Sequence, residues 1–206
     1  MDIVAIQESF VDYPEHLSLV FFVKECNWNC TNCQNKYNLK NLDILDKTYI
    51  TNFIQESSNL FYHYVISGGE PTVYPDLVEF VKFIREINPR AKIKLDTNGS
   101  NYKTLKEVLP FVNAVSMDIK TSFLDCDFTE YEKIVGAKVS SIELLSSIGL
   151  LYDFSQRGNL VEFRTTLVDD SINIDKVLNS IKEVVGKEIG SIKYTVNKQV
   201  ILQNTL

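Results

Sequence analysis

The rhythm of apolar and polar positions along the chain changes back and forth about six times. Leu17-Ser18-Leu19-Val20-Phe21-Phe22-Val23 is almost continuously apolar and rich in strand-favouring residues. Such a run suits a strand buried on both faces of a parallel sheet. Shorter runs of the same kind recur at residues 62–67, 93–96, 114–120, 161–166 and 189–196. Between them, apolar residues return at helical spacing: Ile50, Phe53 and Ile54; Leu77, Phe80, Val81, Ile84 and Ile87; Leu105, Val108 and Leu109; Ile142, Leu145 and Ile148. Ile174, Val177, Leu178, Ile181, Val184 and Val185 form the cleanest amphipathic face. Alternating strands and helices are the pattern of βαβ units and a parallel sheet. Six units fall short of the eight that close a barrel. The pattern therefore predicts an α/β fold, an open partial barrel. Residues 3–16 carry little periodicity, and 11–16 read as a turn before the first strand. Residues 121–139 hold no clear element and read as a long loop.

Composition narrows the class without changing this picture. With 206 residues, 45% hydrophobic and 23% charged, the chain suits one domain spanning 1–206 with a substantial core. A formal net charge of −6 argues against a basic nucleic-acid-binding face. No apolar run is long enough to span a membrane. Met1-Asp2-Ile3-Val4 lacks the charged and apolar regions of a secretory leader. Reduced cysteines in a ligand-like spacing predict a cytoplasmic protein rather than a disulfide scaffold.

Those cysteines supply the candidate chemistry. Cys26, Cys30 and Cys33 follow the first predicted strand in the spacing C-x3-C-x2-C, and the fourth, Cys126, stands alone in the predicted loop. A structural zinc site wants four closed ligands, and the chain's two histidines, His16 and His63, do not follow in zinc-finger spacing. A [4Fe–4S] cluster held by three cysteines leaves one iron open to a cofactor or substrate. A zinc site or three buried thiols remain the alternatives. The other notable residues also fall at strand ends, where parallel α/β folds collect their ligands. Gly68-Gly69-Glu70-Pro71 follows the second predicted strand and Asp96-Thr97-Asn98 the third. Asp118 and Lys120 close the fourth, and Arg164 lies near the end of the fifth.

The cysteine spacing, Gly68-Gly69-Glu70-Pro71, Leu95-Asp96-Thr97-Asn98-Gly99, Met117-Asp118-Ile119-Lys120 and Glu162-Phe163-Arg164-Thr165-Thr166 together resemble the radical S-adenosylmethionine (SAM) superfamily. Within it they resemble the activating proteins of anaerobic ribonucleoside-triphosphate reductase and other glycyl radical enzymes. Val11-Asp12-Tyr13-Pro14 belongs to the same likeness, which runs from about Phe10 to near the C-terminus. The resemblance implies a partial (βα)6 barrel of radical SAM type. It implies a [4Fe–4S] cluster on Cys26, Cys30 and Cys33, with the methionine amino and carboxylate groups of SAM on the fourth iron. One electron from the cluster, supplied by a donor such as flavodoxin or ferredoxin, then cleaves a carbon–sulfur bond and yields a 5′-deoxyadenosyl radical. That radical would take a hydrogen atom from a glycine of a glycyl radical protein, here anaerobic ribonucleotide reductase.

For the residues, the resemblance implies backbone contact to SAM from Asn32, Gly68 and Gly69. Glu70 would orient its strand end. Asp96 and Asp118 would hold polar groups of SAM or a small cation, and Asn98 would be a further cofactor-binding residue. Lys120 would meet the SAM carboxylate, and Arg164 a ribose or carboxylate. The cofactors carry the hard chemistry, so no acid–base triad is expected. The sequence departs from the family pattern at Glu25, Asn32 and Gln34, where glycine, an aromatic residue and histidine are usual. It ends soon after the sixth predicted strand, which predicts a barrel mouth open to a protein loop. Two other functions fit less of the pattern. One is radical SAM chemistry on a small molecule, as in 7-carboxy-7-deazaguanine synthase. The other is a non-catalytic metal-binding interaction module.

Overall fold

The computed structural model describes residues 1–167, 172–186, 188–190 and 192–198. Its centre is a seven-stranded sheet with strands in sequence order. β1 (Ile3–Tyr13) pairs antiparallel with β2 (His16–Val23). Then β3 (His63–Gly68), β4 (Lys92–Thr97), β5 (Ala114–Asp118), β6 (Leu160–Leu167) and β7 (Lys193–Lys198) each join in parallel. The six parallel strands are those the apolar rhythm predicts, and they make the expected α/β partial barrel. Residue 191, within the predicted run 189–196, lies outside the described residues.

Helices α1 (Gln34–Lys40), α2 (Lys47–Ser57), α3 (Leu77–Ile87), α4 (Tyr102–Val108), α5 (Thr129–Val135), α6 (Ser141–Gln156) and α7 (Ile174–Val185) fill the connections. Their starts are written in the sequence. Asp46 caps α2 by accepting from the amides of Thr48 and Tyr49, and Asn173 caps α7 by accepting from that of Lys176. Gly186 ends α7 in the left-handed conformation. Phe21, Tyr64, Ile66, Leu95, Met117 and Phe163 point outward from the strands and pack with Leu77, Val81, Ile148 and Val177 in the main core. The alternate strand positions face inward. There Val20, Val65, Ala114 and Tyr13 form a small second cluster, and polar side chains fill the rest.

Two expectations need correction, and the helix marked by Ile142, Leu145 and Ile148 is present as α6. Residues 3–13 are not a prelude but a full strand, and only Pro14-Glu15 turns, with Glu15 at φ 64°. Residues 121–139 are not one loop, since they contain a short 3-10 turn at Leu124–Cys126 and helix α5. On α6 the buried face is Leu144, Ile148, Leu151 and Phe154, while Ile142 is 76% exposed.

At the hairpin end, His16 and His63 stack with ring centroids 3.9 Å apart, and Tyr13 lies 4.5 Å from His63. Burial first, then the neighbouring His16 and Lys92, holds the His63 pKa below its ordinary value. An unfolded histidine takes its proton near pH ~6.5, so acid favours the unfolded chain. The stabilising contribution is present above that pH and is lost as the pH falls through it. Urea midpoints are expected to drop between pH ~7.5 and pH ~5.5, and His63→Gln is expected to flatten the drop. Equal midpoints in the unaltered protein would show that the stacked pair carries no such linkage.

Candidate functional site

The cysteine segment leaves the end of β2 and is laid directly on the end of β3. The Gly69 amide donates to the Val23 carbonyl and the Glu70 amide to the Glu25 carbonyl, each at 2.8 Å. The Glu25 amide donates to the Tyr74 hydroxyl, and Asn35 Nδ2 to the Gly68 carbonyl, also at 2.8 Å each. This closeness accounts for the paired glycines. A Cβ on Gly68, at φ 111°, would sit 2.5 Å from the Val23 nitrogen, and one on Gly69 would sit 2.1 Å from the Glu25 oxygen. Only glycine allows backbones to meet so tightly.

Glu70 joins this strand end to the next. It is 1% exposed, and its carboxylate accepts from the Thr72 amide and hydroxyl, the Thr97 hydroxyl and the Asn98 amide. Burial pushes its pKa up, against the pull of these donors. The Asn98 side chain returns to the cysteine segment, donating to Asn27 Oδ1 at 3.1 Å, while Asn27 Nδ2 donates to the Ser100 hydroxyl at 2.8 Å.

Inside the barrel, five charged side chains form a ladder across three strands. Lys94 donates to Asp96 at 2.6 Å, Arg164 bonds Asp96 at 3.3 Å and Asp118 at 3.1 Å, and Lys120 donates to Asp118 at 2.8 Å. Register explains the assembly, because Asp118 lies opposite Arg164 on the neighbouring strand. The Ser67 hydroxyl adds a bond to Asp96. Burial opposes charge on both aspartates, but Arg164 and Lys94 hold the Asp96 pKa down. Lys120 and Arg164 hold that of Asp118 far below the usual carboxylate range. Burial likewise opposes charge on Lys120, yet Asp118 and the nearby Cys30 thiol raise its pKa. Exposure rises along the ladder from 3% for the Lys94 side chain to 22% for Lys120 and 31% for Asp118. The upper end is the accessible one.

Helix α5 closes the other side of the cysteine segment. The Asn29 amide donates to the Val135 carbonyl at 2.9 Å, and the Thr31 amide to that of Ile134 at 3.1 Å. The helix ends at Gly136, at φ 61°, where a Cβ would lie 2.6 Å from the Asn29 oxygen. Cys126 is exposed on the separate turn before α5.

Cys26, Cys30 and Cys33 lie within electrostatic reach of one another. Cys26 keeps an exposed face, but the protein packed around its thiol, then Glu70 and the other thiols, pushes its pKa up to about 11 against a bond from the Trp28 amide. Burial also raises Cys30, against Lys120. Among the described residues no three His, Cys, Asp or Glu side chains are drawn together as a finished metal site. The fit therefore rests on donor chemistry. Three soft sulfur donors on one short segment suit an iron–sulfur cluster, and metal binding would release their protons.

Of the residues singled out in the sequence, Gly68, Gly69, Glu70 and Asn98 brace the cysteine segment. Asp96, Asp118, Lys120 and Arg164 form the ladder, with Lys120 within electrostatic reach of Cys30. Asn32 is exposed on the segment itself, as is Glu25. Lys94, Asn27, Tyr74 and Tyr131 were not visible as site residues. For Lys94 a signal existed, since a lysine between Ile93 and Leu95 in an apolar strand points to a buried partner. A cavity of about 310 Å³ also exists, opening at the opposite end of the strands between Pro14, Ala114, Leu160 and Lys193 and reaching Lys94 at the buried foot of the ladder.

The geometry can be set beside known proteins. A sequence model of the radical SAM superfamily matches residues 20–185. The chain belongs to the radical SAM superfamily. A protein of Methanocaldococcus jannaschii, named provisionally as a glycyl-radical enzyme activating enzyme, is 30% identical over 184 residues, covering 85% of this chain and 72% of its own. A Pyrococcus abyssi protein named as a probable GTP 3′,8-cyclase is 31% identical over 121 residues, covering 58% of this chain and 38% of its own. Among solved structures, Streptococcus suis SuiB matches with a TM-score of 0.61 at 14% identity, over 90% of this chain and 40% of its own. That likeness shows the fold alone. Membership makes the chain a radical SAM enzyme and implies a [4Fe–4S] cluster and SAM as its cofactors. Among the described residues no helix is long and apolar enough to cross a membrane.

Proposed function

We propose that this radical SAM enzyme is an activase that removes a hydrogen atom from a backbone glycine of a partner, an anaerobic ribonucleoside-triphosphate reductase. The observation that carries the reading is the likeness over 85% of the chain to a protein named for that activity class. The Asp118-Ile119-Lys120 rim beside the cysteine segment agrees with it.

When bound, the cluster and SAM supply an electron and a carbon-centred radical. Cys26, Cys30 and Cys33 would hold the cluster. The chain's other residues orient the ligand. The ladder has three cations, Lys94, Arg164 and Lys120, against two anions, Asp96 and Asp118. Lys94 is buried against Asp96, and Arg164 is committed to both aspartates. Glu162 also lies within electrostatic reach of Arg164, which leaves Lys120 as the terminal cation, at the accessible end and within electrostatic reach of Cys30. A carboxylate there, such as that of SAM, would complete the alternation of charge. Asp118 offers an acceptor for an adjacent ammonium or hydroxyl. A flavodoxin or ferredoxin would deliver the electron.

The test mixes reduced enzyme, SAM and an anaerobic ribonucleotide reductase whose glycine is deuterated at the α-carbon. Abstraction requires the glycine carbon within about 3–3.5 Å of the radical carbon. The expected result is a carbon-centred radical on the partner by electron paramagnetic resonance, with deuterium recovered in 5′-deoxyadenosine. The cyclase-named relative favours a second reading, chemistry on a small molecule. Deuterium absent from 5′-deoxyadenosine, with SAM cleavage accelerated by a small metabolite instead, would establish that reading and overturn the first.

A further inference from the structure

One side chain joins the two halves of the site. Tyr131, on α5, is fully buried. Its ring meets Trp28, between Cys26 and Cys30, edge to face at a centroid distance of 5.9 Å and an interplanar angle of 73°. Its hydroxyl accepts the backbone amide of Lys120 at 3.2 Å. The ring is fixed from behind by Phe123 and Phe128, which stack on one another at 5.6 Å and lie 6.3 Å and 6.0 Å from it. Phe123 is anchored in turn, since its amide donates to the Ser180 hydroxyl of α7 at 3.0 Å. The Tyr131 hydroxyl also lies within electrostatic reach of Asp118 and Cys30.

We propose that Tyr131 is a positioning residue that sets the spacing between the cysteine segment and the Asp118–Lys120 rim. The proposal rests on the reading that those cysteines hold a cluster and that the rim meets its ligand. A ligand bridging the two gains affinity only where both contacts are reached at once, so their separation must be fixed beforehand. A rigid aromatic ring with a hydroxyl at its tip is suited to this. The ring sets the distance to Trp28, and the oxygen sets the height of Lys120. Tyr131 touches neither cofactor in this role and acts through Trp28 and Lys120.

The test compares the full chain with Tyr131→Phe after anaerobic reconstitution, at matched iron content. SAM binding is measured by equilibrium dialysis, and the reduced cluster by electron paramagnetic resonance with and without SAM. Tyr131→Phe keeps the ring contact and loses the acceptor. It is expected to retain iron, bind SAM more weakly by at most about tenfold, the full value of one hydrogen bond that here lies within the protein, and show a reduced SAM-induced change in the cluster spectrum. A purely structural role would lower the melting temperature and leave that spectral change intact. Unaltered SAM affinity with an unaltered spectral change overturns the proposal. If Tyr131→Phe does not fold, Trp28→Leu reads the other half of the contact. Weakened SAM binding there supports the proposal, and unchanged binding overturns it. Failure of the unaltered protein to take up iron would instead sink the cluster reading.

Discussion

Replacing Cys26, Cys30 or Cys33 by alanine is expected to abolish iron–sulfur incorporation, while Cys126→Ala leaves it unchanged. Three thiolates leave only one iron of a [4Fe–4S] cluster open, and the segment has just these three cysteines, so it holds none in reserve. Cys126 cannot substitute. It sits on a separate exposed turn, where Asp125 and Cys126 are held at φ 55° and 57°. Iron and acid-labile sulfide after anaerobic reconstitution give the measurement. The expected contrast is near-complete loss in each of the three against full content in the fourth. Equal loss in Cys126→Ala, or full iron in any of the three, would show the wrong ligand set. A simple folding defect is separable, because the segment is held mainly through its backbone, by bonds from Gly69 and Glu70 on one side and to Ile134 and Val135 on the other. The alanine variants should therefore keep the secondary structure while losing the metal.

The sequence showed those elements whose burial is one-sided or complete. β2 stood out because Leu19, Val20, Phe21 and Val23 are all buried, and α7 because its apolar residues keep one stripe. β1 was hidden for the opposite reason. Its middle, Gln7, Glu8, Phe10 and Val11, is exposed or polar, and irregular pairing at both Ile3/Ala5 and Ser9/Tyr13 breaks the two-residue alternation. α5 was hidden because seven residues with two buried side chains, Tyr131 and Val135, make too short a stripe to register. Ile142 marked α6 correctly although it is exposed, because an apolar residue in the first turn of a helix need not face the core. The site divides in the same way. Cysteine spacing and strand-end motifs marked the residues that line the candidate site. The residues that hold those in place, Tyr74, Asn27, Lys94 and Tyr131, are ordinary side chains whose importance comes from register and from contacts distant in sequence.

The supporting contacts predict a second large effect, at a residue with no side chain. Gly69→Ala is expected to destabilise the protein by about 1–3 kcal/mol, the usual cost of overpacking, and to impair iron uptake more than that cost alone implies. The added carbon would lie 2.1 Å from the Glu25 oxygen, 2.6 Å from the Glu25 carbonyl carbon and 2.9 Å from the Lys24 oxygen. All three are backbone atoms, so no rotamer change relieves the clash. The β3 side cannot yield easily. Glu70, the next residue, is pinned by Thr72, Thr97 and Asn98. The strain must therefore move the root of the cysteine segment, parting the bonds from Gly69 to Val23 and from Glu70 to Glu25. Cys26 follows Glu25 directly and moves with it. Gly149 supplies a control of opposite sign. It lies inside α6, and an added Cβ meets nothing within 4 Å. Gly149→Ala should therefore stabilise by up to about 1 kcal/mol through helix propensity and leave iron content unchanged. Urea denaturation and iron analysis of the two variants decide the matter. If Gly69→Ala kept full iron and native stability, the close apposition of β3 on the cysteine segment would not be what holds that segment in place.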